Sequence, residues 1–536
     1  MLGLMMLGSL AYCLWAADGV YFTDDELYWL GSSPRTTFER AFDPHSGHLI
    51  AVSRLLYRAV FETVGTGYLT FRLLSLGAVF LAVGLFFAWA RKRTGDWVAL
   101  APCLVLLFFG SDSRHLLLGN GFTVVFAVAC GLAALLALER RSRRGDAFAC
   151  AALCLGVLTY TTALPFVVGA AVAVLLGSDR RRRLWVPLIP ALLYGGWRAW
   201  LKLTDAVVWR GDTDPANLLL LPAWTYQSLS AILNSLTGLA YDFSGREVPV
   251  ADAAAGPVLA LVVLVAVAWR IASRRSSPLL WVTLATALAL FASQVLAWIP
   301  EVRQPGDPRY LYPGAFVVLL VLFEAARGAA VGRAVMVTIW LLAAAGFTAN
   351  ATLARDEGRG FAVRGEFVRA ETTAAKLLHQ STQFVPGAAA VPGSERYIEP
   401  AVDLLGEAED SYGIGLSEGE LAEQTPEIRS VVDTLLGEGI GIGLAPSAGS
   451  PTDPGCRWIR SAEGKVSAEL PPGGAALFSP SGGEVSLRRF GESFAVPVGE
   501  LEPRRKQQVF LPVDPYSTPW RVEVASPGVA VCPVPA

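Results

Sequence analysis

The stretch YLTFRLLSLGAVFLAVGLFFAWARKR, residues 68–93, decides the class of fold. Residues 68–90 are almost free of charge, and they exceed the roughly 20 apolar residues that a helix needs to cross the hydrocarbon core of a bilayer. Three basic residues, 91–93, follow at once. Basic residues that flank an apolar run mark the cytoplasmic end of a membrane-spanning helix. The stretch therefore predicts both a span and its direction.

The whole chain has the composition of a membrane protein with a soluble segment. Of its 536 residues, 53% are hydrophobic and only 17% are charged, whereas soluble proteins carry about 25% charged residues. The deficit falls almost entirely before residue 350. The net charge of −2 gives no reason to expect nucleic acid as a partner.

Eleven apolar runs qualify as candidate spans. They cover residues 2–20, 68–90, 96–110, 120–138, 146–159, 161–177, 184–201, 254–271, 279–299, 310–326 and 332–350. The first run could pass for a signal peptide, but it lacks a basic n-region and a good cleavage site, so we expect an uncleaved span. Residues 146–177 could form one long helix instead of two.

Basic clusters set the orientation of these spans. They lie at residues 91–93, 140–144, 180–183, 270–275 and at Arg327 with Arg333, each after an even-numbered span. The positive-inside rule makes these loops and the N-terminus cytoplasmic, and it favours two spans in 146–177. The outer face then receives residues 21–67, 111–119, 202–253, 300–309 and everything after about 351. We expect a multi-pass protein of the plasma or inner membrane with an extracytoplasmic C-terminal part.

Three acids follow the first span, in the stretch YFTDDELYWL at residues 21–30. One interpretation is a capping box at a helix N-terminus, with Thr23 as the cap and Glu26 reaching back. The other is catalytic. A carboxylate beside low-dielectric lipid and a second like charge has a raised pKa, which suits a general base that takes a proton from a hydroxyl. On this hypothesis Asp24 is the base and Asp25 supports it.

Cationic side chains occur in the other predicted outer loops. The segment 48–64 is an amphipathic helix that carries Arg54 and Arg58, and SDSRHLLLGN contributes Arg114 and His115. DPRYLYPG contributes Arg309, where a guanidinium could clamp a phosphate group. Snorkelling or anchoring at the membrane interface is the alternative for each arginine.

Aromatic residues and histidines complete the set of candidates. Loop 202–253 contains Trp209 and Trp224 beside acids, a combination that suits sugar binding or, equally, interfacial anchoring. His45 and His48 near an aspartate give only weak support for a metal site. Walker A, HExxH, CxxC and GxSxG motifs are absent from the sequence.

These features together resemble the GT-C superfamily of integral-membrane glycosyltransferases, which use polyprenyl-phosphate sugars. The resemblance covers about residues 1–350. It lies in the acidic pair Asp24-Asp25 after the first span, the helix HSGHLIAVSRLLY in the same loop, and the Arg-Tyr pair of DPRYLYPG. It implies an inverting transfer on the outer face, with the first aspartate as base.

The resulting hypothesis is a transfer from a polyprenyl-phosphate sugar to a hydroxyl of a cell-envelope glycan, lipid or protein. Asp24 and Asp25 would be catalytic, and together with His48, Arg114 and Arg309 they should converge on one cavity at the outer interface. Neither an acid catalyst nor a metal is obligatory, because the leaving phosphate is already ionised; a divalent cation is compatible. A transporter or flippase, or a non-catalytic scaffold, are the alternatives. The donor phosphate would contact Arg309, Arg114, His48 and Arg54, and the substrates would contact Tyr310, His45, Trp209 and Trp224.

Residues 351–536 form the predicted soluble domain, whereas residues 1–350 form the membrane domain. Helical patterns reach to about residue 440. Residues 446–536 predict a β-rich module, whose short alternating strands KVSAEL, AALFSP, EVSLRRF, QQVFLPV and WRVEVAS are separated by Gly and Pro turns. The module could bind carbohydrate or serve only for structure and docking. Cys456 and Cys532 could form a disulfide in an exported domain, but spacing alone leaves this open.

Overall fold

A computed structural model describes residues 1–23, 25–204, 214–239, 255–273, 276–299, 303–381 and 402–533, except for the side chain of residue 403. The chain divides into two compact units. The first comprises Met1–Val20, Thr36–Ala59 and Gly67–Ala362, and the second comprises Tyr21–Arg35, Val60–Thr66 and Val363–Ala536. The acidic stretch after the first apolar helix is thus part of the same unit as the C-terminal segment.

The fold is mainly helical, as predicted. The described α-helices are, in chain order, α1 (Leu2–Ala16), α2 (Asp25–Ser32), α3 (Ala51–Thr63), α4 (Tyr68–Thr94), α5 (Asp96–Leu107), α6 (Arg114–Leu117), α7 (Gly121–Leu138), α8 (Arg143–Thr159), α9 (Leu164–Leu175), α10 (Arg180–Arg183), α11 (Trp185–Leu203), α12 (Leu221–Thr237), α13 (Ala255–Ala272), α14 (Pro278–Leu296), α15 (Pro308–Ala325), α16 (Arg333–His379), α17 (Val402–Tyr412), α18 (Glu418–Ala422) and α19 (Pro426–Ile440).

Each of the eleven predicted spans coincides with a helix of the first unit or, for the last one, with the first part of α16. Among the described residues, six helices are long and apolar enough to cross a membrane, namely α4, α7, α13, α14, α15 and α16. This composition identifies a membrane protein. The predicted break within 146–177 is confirmed, since α8 ends at Thr159 and α9 begins at Leu164. The number of crossings stays a prediction.

Helix α12 lies in a segment to which the sequence pattern assigned only a loop. It packs against α13, α14 and α15, and its buried face includes four hydroxyl or amide side chains, Ser228, Ser230, Asn234 and Ser235. Two of the hydroxyls, those of Ser230 and Ser235, donate to carbonyls one turn earlier, at 2.8 and 2.9 Å. Because these hydroxyl donors are satisfied within the helix, burial costs them little. The sequence pattern did not predict this helix, because polar residues that can be buried in this way lower the apolar character of the segment.

A buried ion-pair network joins the arginine-rich ends of four helices. Arg93 at the end of α4 donates to Glu324 of α15 at 2.7 Å and to Glu139, which follows α7. Ser277, the N-cap of α14, donates to the other oxygen of Glu324 at 2.6 Å. Removing one partner of such a network would leave an uncompensated buried charge. The clusters that set the orientation in the sequence therefore also hold the bundle together.

The second unit contains two antiparallel sheets, in agreement with the predicted β-rich module. The strands are β1 (Leu444–Pro446), β2 (Arg457–Arg460), β3 (Val466–Glu469), β4 (Gly474–Phe478), β5 (Gly483–Arg488), β6 (Val496–Leu501), β7 (Lys506–Phe510), β8 (Arg521–Val524) and β9 (Gly528–Pro533). Their orders are β1-β7-β4-β9-β2 and β3-β8-β5-β6. Cys456 and Cys532 form a disulfide, which closes a sequence separation of 76 residues and pins the last strand.

Within the second unit, the segment around α2 packs on α17. A Cβ at Gly31 would lie 3.0 Å from the Leu404 side chain, so the two helices pack closely at this glycine. The hydroxyls of Ser33 and Tyr412 are 3.1 Å apart, and Arg35 forms an ion pair with Glu407. Residues 21–35 are therefore held by residues nearly 400 positions away in the chain.

Candidate active site

The acidic stretch begins helix α2. Asp25 is the first residue of the helix and is half-buried, where its charge complements the helix dipole. Glu26 is fully buried, and its amide donates to the Thr23 carbonyl at 3.0 Å. The Thr23 hydroxyl is buried and has no hydrogen-bond partner among the described residues, so it does not form the expected capping box. Asp24 lies outside the described residues.

Aromatic contacts in the second unit fix the backbone that leads into these acids. The Tyr21 hydroxyl donates to the Ile414 carbonyl at 3.3 Å, and the Arg369 guanidinium lies 4.8 Å from the centre of its ring. Burial raises the pKa of Tyr21 to about 12, which outweighs the lowering effect of Arg369. Tyr21 therefore stays a neutral hydrogen-bond donor. The Phe22 ring packs against Phe61 at 5.7 Å.

The two histidines flank a tight turn in the first unit. His45 and His48 exchange both backbone hydrogen bonds, at 3.0 and 2.8 Å. Ser46 and Gly47 between them have φ values of 48° and 81°, as a type I′ turn requires. The His48 ring is stacked on Tyr160 at 4.6 Å, and its Nδ1 lies 2.8 Å from the Thr161 hydroxyl. The turn therefore presents His48 in one fixed orientation.

Arg309 stands in the first turn of α15, after Pro308 at the N-terminal position that suits proline. Its guanidinium is 2.9 Å from Asp307 and 5.5 Å from the centre of the Tyr310 ring. Tyr160 also interacts electrostatically with Arg309. We call His48, Tyr160, Arg309 and Tyr310 the cation–aromatic cluster. About half of the Arg309 side chain, 49%, is exposed, so a ligand could reach the charge.

Sequence reasoning missed Tyr160. The only signal for it was the polar Tyr-Thr-Thr interruption at residues 160–162, between two apolar runs. That interruption predicted a break between helices, whereas its contact with His48 depends on loop one, more than 100 residues earlier.

The loop that carries Arg114 is attached to the start of α15. Buried Asp112 accepts from the Tyr312 amide at 3.3 Å, and His115 Nδ1 is 2.6 Å from the same carboxylate oxygen. The His115 ring is also stacked on Tyr312, with 6.1 Å between centres. Arg114 itself is exposed at the start of α6. The structure thus brings the Arg114 loop and the Arg309 helix into direct contact.

Other predicted site residues have structural partners. Arg54 is buried and donates to the carbonyls of Arg40 and Asp43, at 3.1 and 2.6 Å, so it holds loop one together. Trp224 is only 4% exposed, and its ring nitrogen is 3.4 Å from Gln294. Their roles in phosphate and sugar binding stay predictions. Trp209 lies outside the described residues.

The five residues expected to converge are distributed over both units. His48, Arg114 and Arg309 belong to the first unit, and Asp25 belongs to the second. Their convergence on one cavity with Asp24 stays a prediction. In the part of the chain that the structure describes, no group of three His, Cys, Asp or Glu side chains could hold a metal ion.

Two solved structures are similar to this chain. Both are ArnT from Cupriavidus metallidurans. The structure bound to undecaprenyl phosphate has 14% identity and a TM-score of 0.44, and the apo structure has 12% identity and a TM-score of 0.46. Each comparison covers 75% of this chain and 84% of the other.

The other two comparisons gave no match. No family model matches the chain, and neither does any curated protein. Both TM-scores are below 0.5 and both identities are low, so these two likenesses do not define the function of this chain.

Proposed function

We propose that this protein is a glycosyltransferase that moves a sugar from a polyprenyl-phosphate donor to a hydroxyl of a cell-envelope glycan, lipid or protein. The observation that carries the proposal is the cation–aromatic cluster. It places the half-exposed charge of Arg309 next to aromatic rings, in the first turn of a helix long and apolar enough to cross a membrane. This end of α15 is opposite to the end that carries Glu324 and the arginine-rich network.

The cluster suits a lipid-linked phosphate. A polyprenyl chain would lie in the bilayer, and its phosphate would lie at the interface beside Arg309. A guanidinium binds a phosphate through two parallel hydrogen bonds, and it stabilises the charge that grows on the leaving group. Arg114 could add a second positive charge, because its loop is attached to the same helix. Tyr310 and His48 offer ring faces and a hydrogen-bonding nitrogen to the sugar.

The acids after α1 would supply the base. The acceptor hydroxyl oxygen attacks the anomeric carbon, the bond from that carbon to the phosphate oxygen breaks, and the polyprenyl phosphate leaves with the electron pair. Asp24 takes the hydroxyl proton, and Asp25 supports its charge state. Attack opposite to the leaving group inverts the anomeric configuration. The step is balanced without an acid catalyst, since the phosphate leaves ionised.

Transfer from radiolabelled polyprenyl-phosphate sugars to membrane acceptors tests this function. We expect Asp24→Asn to reduce turnover by about 10²–10⁴, the usual contribution of a general base, and Asp25→Asn to reduce it less. Asparagine keeps the size of the side chain and its capping ability but cannot accept the proton. Asp18→Asn is the matched control, because Asp18 is an exposed aspartate of the same loop region.

Two outcomes would contradict the proposal in different ways. Normal transfer by both Asp24→Asn and Asp25→Asn would show that these acids have only a structural role at the start of α2. If the wild-type protein used none of the donors but moved a labelled lipid across the membrane, the protein would be a flippase and not a transferase.

A further inference from the structure

A cavity lies at the arginine-rich end of the bundle, away from the cation–aromatic cluster. Its volume is about 360 Å³, and it opens between the ends of α7, α9 and α14. Leu138, Leu176 and Val282 contribute to its apolar wall, and three arginines, Arg141, Arg183 and Arg327, also line it. The predicted catalytic chemistry uses none of these residues.

The charges around this cavity leave an excess of cations. Arg183 is paired with Asp146 at 2.6 Å, and Arg327 is paired with Glu324 at 3.1 Å. Arg141 is exposed and has no acidic partner among the described residues.

The carboxylate that lines the cavity does not cancel this excess. Glu139 is already paired with Arg93 and lies 3.6 Å from Lys92. An anion is therefore the complementary ligand, and Arg141 is the side chain with charge to offer.

The backbone holds Arg141 at the rim of the cavity. Its φ of 45° is in the left-handed region, which non-glycine residues adopt uncommonly. Its amide donates to the Leu138 carbonyl at 3.3 Å, and the Ser142 hydroxyl next to it caps α8 by accepting from the Gly145 amide at 3.1 Å. The turn between α7 and α8 is thus defined on both sides of the arginine.

The apolar wall indicates that the ligand also has a hydrocarbon part. Leu176 lines the cavity and is nevertheless 52% exposed on the outside of the bundle. Leu175 beside it is 54% exposed. In a membrane protein of this composition, an exposed leucine at the end of an apolar helix is available for contact with lipid. An acyl chain could therefore leave the cavity along this surface.

We propose that this cavity binds the phosphate headgroup of an anionic phospholipid from the leaflet on the arginine-rich side. Basic pockets between membrane helices on the cytoplasmic side recognise such headgroups. The guanidinium of Arg141 binds the phosphate, Arg327 and Arg183 complete the positive wall, and an acyl chain lies against Leu176. The lipid thereby joins the ends of α7, α9 and α14.

Native mass spectrometry of the full-length protein in mild detergent tests this site. Dioleoylphosphatidylglycerol, dioleoylphosphatidylcholine and free glycerol 3-phosphate are titrated separately, and thermal unfolding is followed in parallel. We expect one retained phosphatidylglycerol and a raised unfolding temperature. Arg141→Gln should weaken binding about tenfold, since a charge-assisted phosphate contact is lost, whereas Arg141→Lys should retain most of it.

Arg144→Gln is the control, because Arg144 is an exposed residue of the same cluster that does not line the cavity. Equal retention of phosphatidylcholine by the wild type, or equal losses in Arg141→Gln and Arg144→Gln, would overturn the proposal. A shift with glycerol 3-phosphate as large as that with the lipid would show a soluble phosphate site instead. The transferase proposal is unaffected by any of these results.

Discussion

At the scale of single residues, Arg309 is the side chain on which donor binding should depend most. Arg309→Gln removes the charge but keeps a side chain of similar length beside Tyr310. We expect kcat/KM for the lipid-linked donor to fall about 10²–10³-fold, as when one preorganised donor to a developing anion is lost. The kcat/KM of Arg309→Lys should lie between those of the wild type and Arg309→Gln, because an ammonium keeps the charge without the bidentate geometry. Steady-state transfer kinetics measure both variants.

The control for Arg309 lies at the other end of the bundle. Arg333→Gln, at the start of α16, removes an exposed arginine of the opposite end, and it should change kcat/KM less than twofold. Equal effects of Arg309→Gln and Arg333→Gln would mean that Arg309 acts only as an interfacial anchor.

At the scale of elements, one carboxylate ties α18 to the segment before β8. Glu418 accepts hydrogen bonds from the Ser517 and Thr518 amides, at 3.0 and 2.6 Å, and from both hydroxyls. Burial alone would raise its pKa, but these bonds outweigh burial and hold the pKa at about 2, against 4.5 unperturbed. The carboxylate therefore stabilises this contact above pH 4.5, and the stabilisation is lost as the pH falls towards 2.

Glu418→Gln should cost about 1 to 2 kcal/mol at pH 7, after allowance for solvent screening of a half-exposed group. The difference from wild type should vanish near pH 2. Hydrogen exchange of the peptide that contains residues 517–520 gives this local opening energy, and Glu423→Gln, an exposed glutamate just after α18, is the control. A difference that persists unchanged down to pH 2 would show that the carboxylate charge is not the cause.

The elements that the sequence predicted correctly are those whose pattern is local. Apolar length located the helices of the first unit, and alternation located β3, β4, β5, β7 and β8. Strands β2 and β9 were not predicted. They pair with each other, and the Cys456–Cys532 disulfide beside them could not be established from the spacing of the cysteines. Helix α12 was not predicted because its segment is rich in polar residues, two of which, Ser230 and Ser235, bond to backbone carbonyls only in the folded helix.

The candidate site follows the same division. Arg309 and Arg114 were found because each is a cation next to an apolar run. The link between their loops through Asp112 and Tyr312 spans 200 residues of sequence, and no local pattern records it. The contact of His48 with Tyr160 is hidden for the same reason. The sequence shows which residues can bind a phosphate or a sugar, whereas only the folded chain shows which of them lie close together.

At the scale of the whole molecule, two independent features support one orientation in the membrane. By the positive-inside rule, the arginine clusters predict that the loops after α4, α7 and α9 are cytoplasmic. The Cys456–Cys532 disulfide favours an oxidising compartment for the second unit, because cytoplasmic thiols are kept reduced. The five other cysteines are free thiols in the apolar helices. Both features agree with the predicted orientation, in which the second unit lies outside, and that orientation stays a prediction.

Reporter fusions test this orientation directly. Alkaline phosphatase needs an oxidising compartment for its own disulfides. It should therefore be active when fused to the C-terminus of the full chain and inactive when inserted within residues 140–144. A fluorescent protein that folds only in the cytoplasm should give the reverse pattern. In the same cells, maleimide labelling of the denatured protein should gain two thiols after reduction, from Cys456 and Cys532. An active phosphatase inserted within residues 140–144 would show that the helical bundle has the opposite orientation in the membrane. The cation–aromatic cluster would then face the cytoplasm, and an outer-face transfer from a lipid-linked sugar would be impossible.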